Sequence, residues 1–308
     1  MTSKSVSADR SNPSNWTLTN KRREAIAGYL FLAPYLFFFL VFLAGPVISA
    51  FVTAFVEWEL LRGTYRFIGL ENFQLIMEDD LFWIALGNSL YFATMTTVGN
   101  VIVALCAALA LKSIRLGHTL FRVIMYAPVV LSISVIGIVF SRLLAPFGLL
   151  NAGLELFGHD GFNYLADPNL VLPSLSLTTI WWGFGFPMLI FLAALYAVPE
   201  ALYEAARIDG AGRWQILWQV TLPLIRPALL FIIVTQFIAH IQVFGQPYIM
   251  TNGGGPGYSS YTIVLHIYRN AFSYYHMGYA GAMALSLGVV MFIFALVQFR
   301  LLGRYTEY

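Results

Sequence analysis

Tyr203–Pro227 reads YEAARIDGAGRWQILWQVTLPLIRP, a polar stretch held between long apolar runs. Glu204-Ala205-Ala206-Arg207 is a run of good helix formers. Asp209-Gly210 then marks a turn in which Gly takes positive φ without steric cost. Trp214, Leu217 and Val220 recur every three residues and give a second helix one apolar edge. Pro223 and Pro227 each lack an amide donor, so that helix stops or kinks before the next apolar run. The stretch is too short to be a domain and too patterned to be a plain linker.

Working outward, the composition decides the class. Of 308 residues, 59% are hydrophobic and 10% charged, with mean hydropathy +0.74. Soluble domains carry about 25% charged residues, so the chain reads as an all-α, polytopic membrane protein. Apolar runs of spanning length lie near 25–56, 82–111, 120–145, 169–198, 227–250 and 278–302. The first exceeds one bilayer crossing, and Gly45-Pro46 bends it or marks its exit; it is too long for a secretory signal. Residues 1–20 lack periodicity and read as a mobile tail, leaving 21–308 as the membrane domain with a polar loop over 199–226. Residues 57–81 and 146–168 read as loops, and the single Cys106 as a small packed hydrophobe.

Six spans put both termini on one side. Thirteen of the 17 Lys and Arg fall on the side of the termini, the 112–122 turn and the 199–226 loop. Only Arg62, Arg66, Arg142 and Arg269 fall on the other. The positive-inside rule therefore places termini and loop in the cytoplasm. Trp58, Trp83, Tyr91, Tyr274 and Tyr275 sit near span ends, where interfacial aromatics belong.

Glu204, Ala205, Ala206, Gly210, Leu222 and Pro223 fall on the glutamate-alanine-alanine signature of membrane subunits of bacterial ABC importers. The fuller form resembles the carbohydrate-uptake branch, the maltose-type first permease, as do FIGLENF (67–73) and TNGGGPGYSSYTIVLHIYRNAF (251–272). The resemblance covers roughly 21–308. It implies an ATPase-coupling role for Glu204, Ala205, Ala206, Arg207, Asp209 and Gly210, set in a groove of an ATP-binding subunit. It further implies a second, homologous permease, two ATP-binding subunits that hold ATP and Mg, and an extracytoplasmic solute-binding protein facing the 251–262 turn. Localisation would be the bacterial inner membrane, and the cargo a sugar, polyol or glycerophosphodiester.

Thr178–Pro187 puts Gly183, Gly185 and Pro187 in the middle of a span. Interrupted helices at mid-membrane depth line cavities or pack tightly, and residues alone leave both open. The resemblance, carried by fixed spacing, places substrate contacts at Thr179, Trp182, Gly183, Gln236 and His240, with Ser132 and Ser134 as weaker candidates. Their chemistry suits the role: an indole stacks on sugar C–H faces, and Gln and His serve hydroxyls. Gln236 and His240 are four apart on one helix face, and an intramembrane His is costly. A structural interhelical hydrogen bond is the competing reading of His240.

No stretch ends in Gly-Lys-Ser/Thr, so the chain is not expected to bind ATP itself; nor is there metal-ligand or nucleophile–base spacing. Two other readings stay open. A secondary transporter needing no ATPase would carry intramembrane carboxylates, and the six apolar cores contain none. An ABC permease for a non-sugar cargo would carry the same coupling signature. No internal repeat is evident.

Overall fold

The computed structural model describes residues 13–114 and 116–303. It divides into two compact units at Val52/Thr53. The first unit is built on α1 (Pro13–Phe39), which continues through a π segment (Leu40–Ala44) into α2 (Gly45–Thr53). Pro46 brings no amide to the ladder, and the Gly45 amide reaches five residues back to the Leu40 carbonyl. The expected bend or exit at Gly45-Pro46 is thus a wide turn inside one helix. That helix starts at Pro13, within the stretch read as a tail; residues 1–12 lie outside the described residues.

The second unit is mostly helical, as expected, but opens with a feature the sequence reading did not include, an antiparallel hairpin of β1 (Val56–Glu59) and β2 (Thr64–Phe67). Alternation in VEWE and TYRF, with Gly63 at φ +62°, supplies the pleat and turn. Glu57 and Arg66 pair across it at 3.1 Å. Then come α3 (Glu71–Glu78) and α4 (Asp80–Ser113), a 34-residue helix capped by Asp79, which accepts the Leu81 amide at 2.9 Å.

The expected third span is broken. α5 (His118–Tyr126) passes through a 3₁₀ turn (Ala127–Val130) to α6 (Ile133–Leu143), with a 94° bend. Pro128 lacks the donor that would carry the helix on, and Ser132 restarts it as N-cap of α6. The loop after it contains α7 (Leu149–Leu156). The next span bends 51° at Phe184, between α8 (Val171–Gly183) and α9 (Gly185–Ala197), where the glycines lead one to look. A Cβ on Gly185 would sit 3.0 Å from the Met125 carbonyl oxygen, so the glycine sets how closely α9 meets α5.

The polar loop holds α10 (Glu200–Ile208), α11 (Arg213–Gln215), a π segment (Ile216–Thr221) and α12 (Leu222–Leu224). α13 (Arg226–Ile241) and α14 (Gly245–Met250) follow, then α15 (Ile263–Tyr268), a π segment (Arg269–Ser273) and α16 (Met277–Gly303). Among the described residues four helices are long and apolar enough to cross a membrane, and up to six if each bent pair is one span.

α4 organises the second unit. Its Phe82, Ala85 and Leu86 join Tyr261, Leu265 and Met283 in one core cluster. At its other end Ala104, Ala108 and Leu111 join Met188, Phe191 and Leu195 in another. Cys106, expected to be packed, is exposed beside exposed Ile102 and Val103, on the face α4 turns away from its neighbours.

Candidate functional site

Three polar assemblies stand out against the apolar helices. The first is the 199–226 loop. α10 ends in a glycine-closed cap: Gly210 has φ +81°, its amide donates to the Arg207 carbonyl (3.1 Å), and the Ala211 amide donates to Ala206 (2.9 Å). This 6→1 and 5→2 pairing satisfies carbonyls that a helix end leaves open. Glu204, Ala205, Arg207, Asp209 and Gly210 are exposed and Ala206 is half-buried. Ile208 is 86% exposed and continues an apolar edge with Leu202 and Ala205, one face of α10 outside the core clusters of the described residues.

The opposite face is anchored. Tyr203 is buried, and Lys112 at the end of α4 lies 4.4 Å over its ring while donating to the Leu195 carbonyl at 3.0 Å. One cation thereby ties α4, α9 and α10 together. Neither member was singled out from sequence, since 91 positions separate them.

The expected Trp214–Leu217–Val220 edge is corrected. Trp214 is 74% exposed, and the residues turned to the core are Ile216, Val220, Thr221 and Ile225. The π segment widens each turn, moving the packed edge from a spacing of three to one of four to five. Thr221 Oγ1 donates to the Ile216 carbonyl five residues back (3.2 Å), and the Gly212 amide donates to Gln215 Oε1 (2.8 Å). A 960 Å³ cavity lies between this segment, α10 and the end of α4.

The second assembly lies midway along the long helices. His240 on α13 is buried, with Nδ1 3.1 Å from Thr97 Oγ1 and Nε2 3.4 Å from Asn100 Nδ2, both on α4. Phe92 meets its ring edge-on at 6.4 Å. Thr179 is buried, donates to Leu175 (2.8 Å) and accepts from buried Gln246 Nε2 (3.1 Å). A Cβ on Gly183 would meet Asn100 Nδ2 at 3.4 Å, so Gly183 brings the backbone of α8 against the Asn100 amide. Trp182, half-buried, donates to the Leu131 carbonyl at 3.1 Å. Gln236 is half-buried and makes no side-chain hydrogen bond among the described residues.

The structure thus brings Thr179, Gly183 and His240 into one junction, with Gln236 one turn from His240. It does not bring in the serines. Ser132 is exposed and accepts the Val135 amide as the α6 cap (3.4 Å), and Ser134 is exposed. Thr97, Asn100 and Gln246 were missed by sequence reasoning. The signal for α4 was present: Thr96, Thr97 and Asn100 line one face of an otherwise apolar run. None of these residues lines the 960 Å³ cavity or a second cavity of 670 Å³ at the 251–256 turn.

The third assembly closes the other end of α4. Asp79 accepts from Tyr279 OH (2.7 Å) and pairs with His266 Nε2 (2.9 Å), while His266 Nδ1 lies 3.1 Å from Tyr261 OH. Burial raises the Asp79 pKa, but the hydrogen bonds from Tyr279 and His266, the His266 charge and the Phe82 amide outweigh it. The carboxyl therefore sits below its usual 3.8. Asn88 on α4 donates to the Tyr258 and Tyr261 carbonyls (2.9 and 3.0 Å), pinning the glycine-rich turn to the same helix.

Helices of spanning length, a helix–turn–helix anchored at their ends and a polar junction between them are the architecture set beside known proteins. The sequence profile described as "Binding-protein-dependent transport system inner membrane component" matches residues 99–306. The chain belongs to this family, that of ABC-transporter permeases. It is 31% identical to the sulfoquinovosyl glycerol transport system permease protein SmoG of Agrobacterium fabrum over 289 residues, 93% of this chain and 92% of that one. It is 32% identical to the diacetylchitobiose uptake system permease protein NgcF of Streptomyces coelicolor over 290 residues, 90% and 82% of the two chains. Its fold matches a chain of a bacterial ABC transporter involved in the import of the acidic polysaccharide alginate, with TM-score 0.80 and 24% identity. That match covers 94% of this chain and all of the other. A bacterial alginate ABC transporter in complex with an alginate pentasaccharide-bound periplasmic protein matches at TM-score 0.77 and 25% identity, covering 94% and 98%.

Proposed function

We propose that this chain is the maltose-type first permease of an ATP-driven importer. It crosses the bacterial inner membrane six times with both termini in the cytoplasm, and forms the path for a sugar or a related polyol or glycerophosphodiester. It pairs with a second permease, two ATP-binding subunits that hold ATP and Mg, and an extracytoplasmic solute-binding protein. The carbohydrate cargoes named for the relatives support the cargo class. The observation that carries the coupling role is α10: one face is locked to the spans through Tyr203 and Lys112, and the other is exposed with a glycine-closed end. A helix held so presents a rigid knob to a groove. Closure of the ATPase pair would pull on it and rock the attached helices, a rigid-body route to alternating access.

Cargo then passes the junction of Thr179, Gly183, Gln236 and His240. Gln236 has its amide free for a cargo hydroxyl, so Gln236→Leu removes one neutral hydrogen bond, about 0.5–1.5 kcal/mol. The expected result is a half-saturating cargo concentration raised about two- to tenfold, with assembly unchanged. Uptake into vesicles energised with ATP and loaded with the cognate binding protein measures it. An unchanged value for Gln236→Leu removes that residue from the path.

A further inference from the structure

Several hydroxyls in the long helices satisfy themselves: Thr178, Thr179, Thr235 and Ser286 each donate to the carbonyl four residues back. Thr96 on α4 and Ser176 on α8 do not. With Asn100 Oδ1, their oxygens are buried and have no hydrogen-bond partner among the described residues. These atoms belong to neighbouring turns. α4 and α8 run side by side in one direction: Phe92 shares a cluster with Leu172 and Leu175, Gly99 abuts Ile180, Asn100 abuts Gly183, and Ala104 shares a cluster with Met188. Thr96 is therefore level with the turn Ser176–Thr179, one turn from Asn100.

The Asn100 amide has a second task. With the amide in this orientation, Nδ2 faces His240 Nε2 at 3.4 Å, a contact it makes as donor when Nε2 offers a lone pair. That arrangement puts the ring proton on Nδ1, facing Thr97 Oγ1 at 3.1 Å, in a neutral ring. Thr96, Thr97, Asn100, Ser176, Thr179 and Gln246 bring no charge to this junction. A buried acceptor left without a partner carries a free-energy cost that a hydroxyl donor entering the junction would relieve.

We propose that α4 supplies one wall of the cargo path: Asn100 holds His240 in its neutral Nδ1–H form, and the Asn100 carbonyl oxygen and Thr96 hydroxyl are kept for hydroxyls of an uncharged cargo. This rests on the reading of His240 as a path residue. Asn100 is a positioning residue toward His240 and a direct contact toward cargo.

The test is nitrogen-15 magnetic resonance of the full chain in lipid bilayers, labelled at histidine, with the His240 signals assigned by their loss in His240→Gln. Wild type is expected to show a protonated Nδ1 and a bare Nε2, and Asn100→Leu to lose that single form for a mixture. A wild-type ring protonated on Nε2 overturns the proposal whether or not Asn100→Leu folds, as does a variant with wild-type signals. Thr96→Val, which keeps the shape and removes the hydroxyl, is expected to leave the thermal midpoint unchanged or raised. A lowered midpoint would show that the hydroxyl serves the fold, and would overturn its assignment to cargo. Both measurements use cargo-free protein. Ring results that fail beside an affected Gln236→Leu overturn the role of Asn100 and leave the path standing. Ring results that hold beside an unaffected Gln236→Leu overturn the path reading instead.

Discussion

Replacing Gly210 with valine is expected to cut ATPase coupling by about five- to thirtyfold, the effect of one to two kcal/mol on a two-state geometry. The reason is backbone, not space. A Cβ at Gly210 meets nothing within 4 Å, but φ is +81°. For an L-residue the left-handed region costs about 1–2 kcal/mol, and most for β-branched side chains. The two hydrogen bonds closing α10, from Gly210 and Ala211, depend on that conformation. Losing it turns the exposed edge of Leu202, Ala205 and Ile208 away from the direction in which Tyr203 and Lys112 hold it. Gly210→Asn, which enters the left-handed region readily, is expected to stay near wild type, and Gly210→Ala to fall between. Cargo-stimulated ATP hydrolysis by the assembled transporter, normalised to inserted permease, ranks the three. Equal activity in all three would mean that the turn conformation plays no part in coupling.

Asp79→Ala is expected to cost about 2–4 kcal/mol of fold stability at neutral pH, since it removes a helix cap and two hydrogen bonds to a charged acceptor. The carboxylate receives the Leu81 amide, Tyr279 OH and His266 Nε2, and so joins α4, α15 and α16. Its pKa is depressed in the fold, so its contribution is fully present above the unfolded value. That contribution is lost as pH falls through the lower folded value, below 3.8. Thermal unfolding in detergent should therefore show wild type losing an increment of stability below pH 3.8 that Asp79→Asn lacks. A variant as stable as wild type at pH 7 would contradict the role given to this network.

What could be read from sequence was what local chemistry encodes. Asp209-Gly210 announces its turn because only glycine takes that φ freely, and the glycines of 183–185 announce the bend because small residues permit it. The break at Pro128 was written as plainly, but it sits inside an apolar run whose length alone satisfied the expectation of a span. The apolar edge of the second loop helix was misread because a period of three assumes ordinary helical pitch, and the π segment at Ile216–Thr221 has another. The hairpin at Val56–Phe67 is two four-residue strands, too short for alternation to stand out beside long helices. Which residue pairs with which had no local signal, even where single members such as His240 and the polar face of α4 stood out. Lys112 meets Tyr203, Asp79 meets His266 and Asn100 meets His240 across 91, 187 and 140 positions, and only packing on α4 brings them together.

Under the proposed function α10 docks on an ATP-binding subunit and transmits its closure. The most direct measurement is disulfide or bifunctional-thiol crosslinking of Ala205→Cys, on the exposed edge of α10, to single cysteines placed around the surface groove of the co-expressed ATPase, in a Cys106→Ser background. Crosslinks confined to the groove are expected, with a yield that changes when ATP is added, while a cysteine at exposed Phe147, in the loop after α6, gives none. A permease that inserts normally, transports its cargo, and yields no crosslink from Ala205→Cys with any groove position would contradict it.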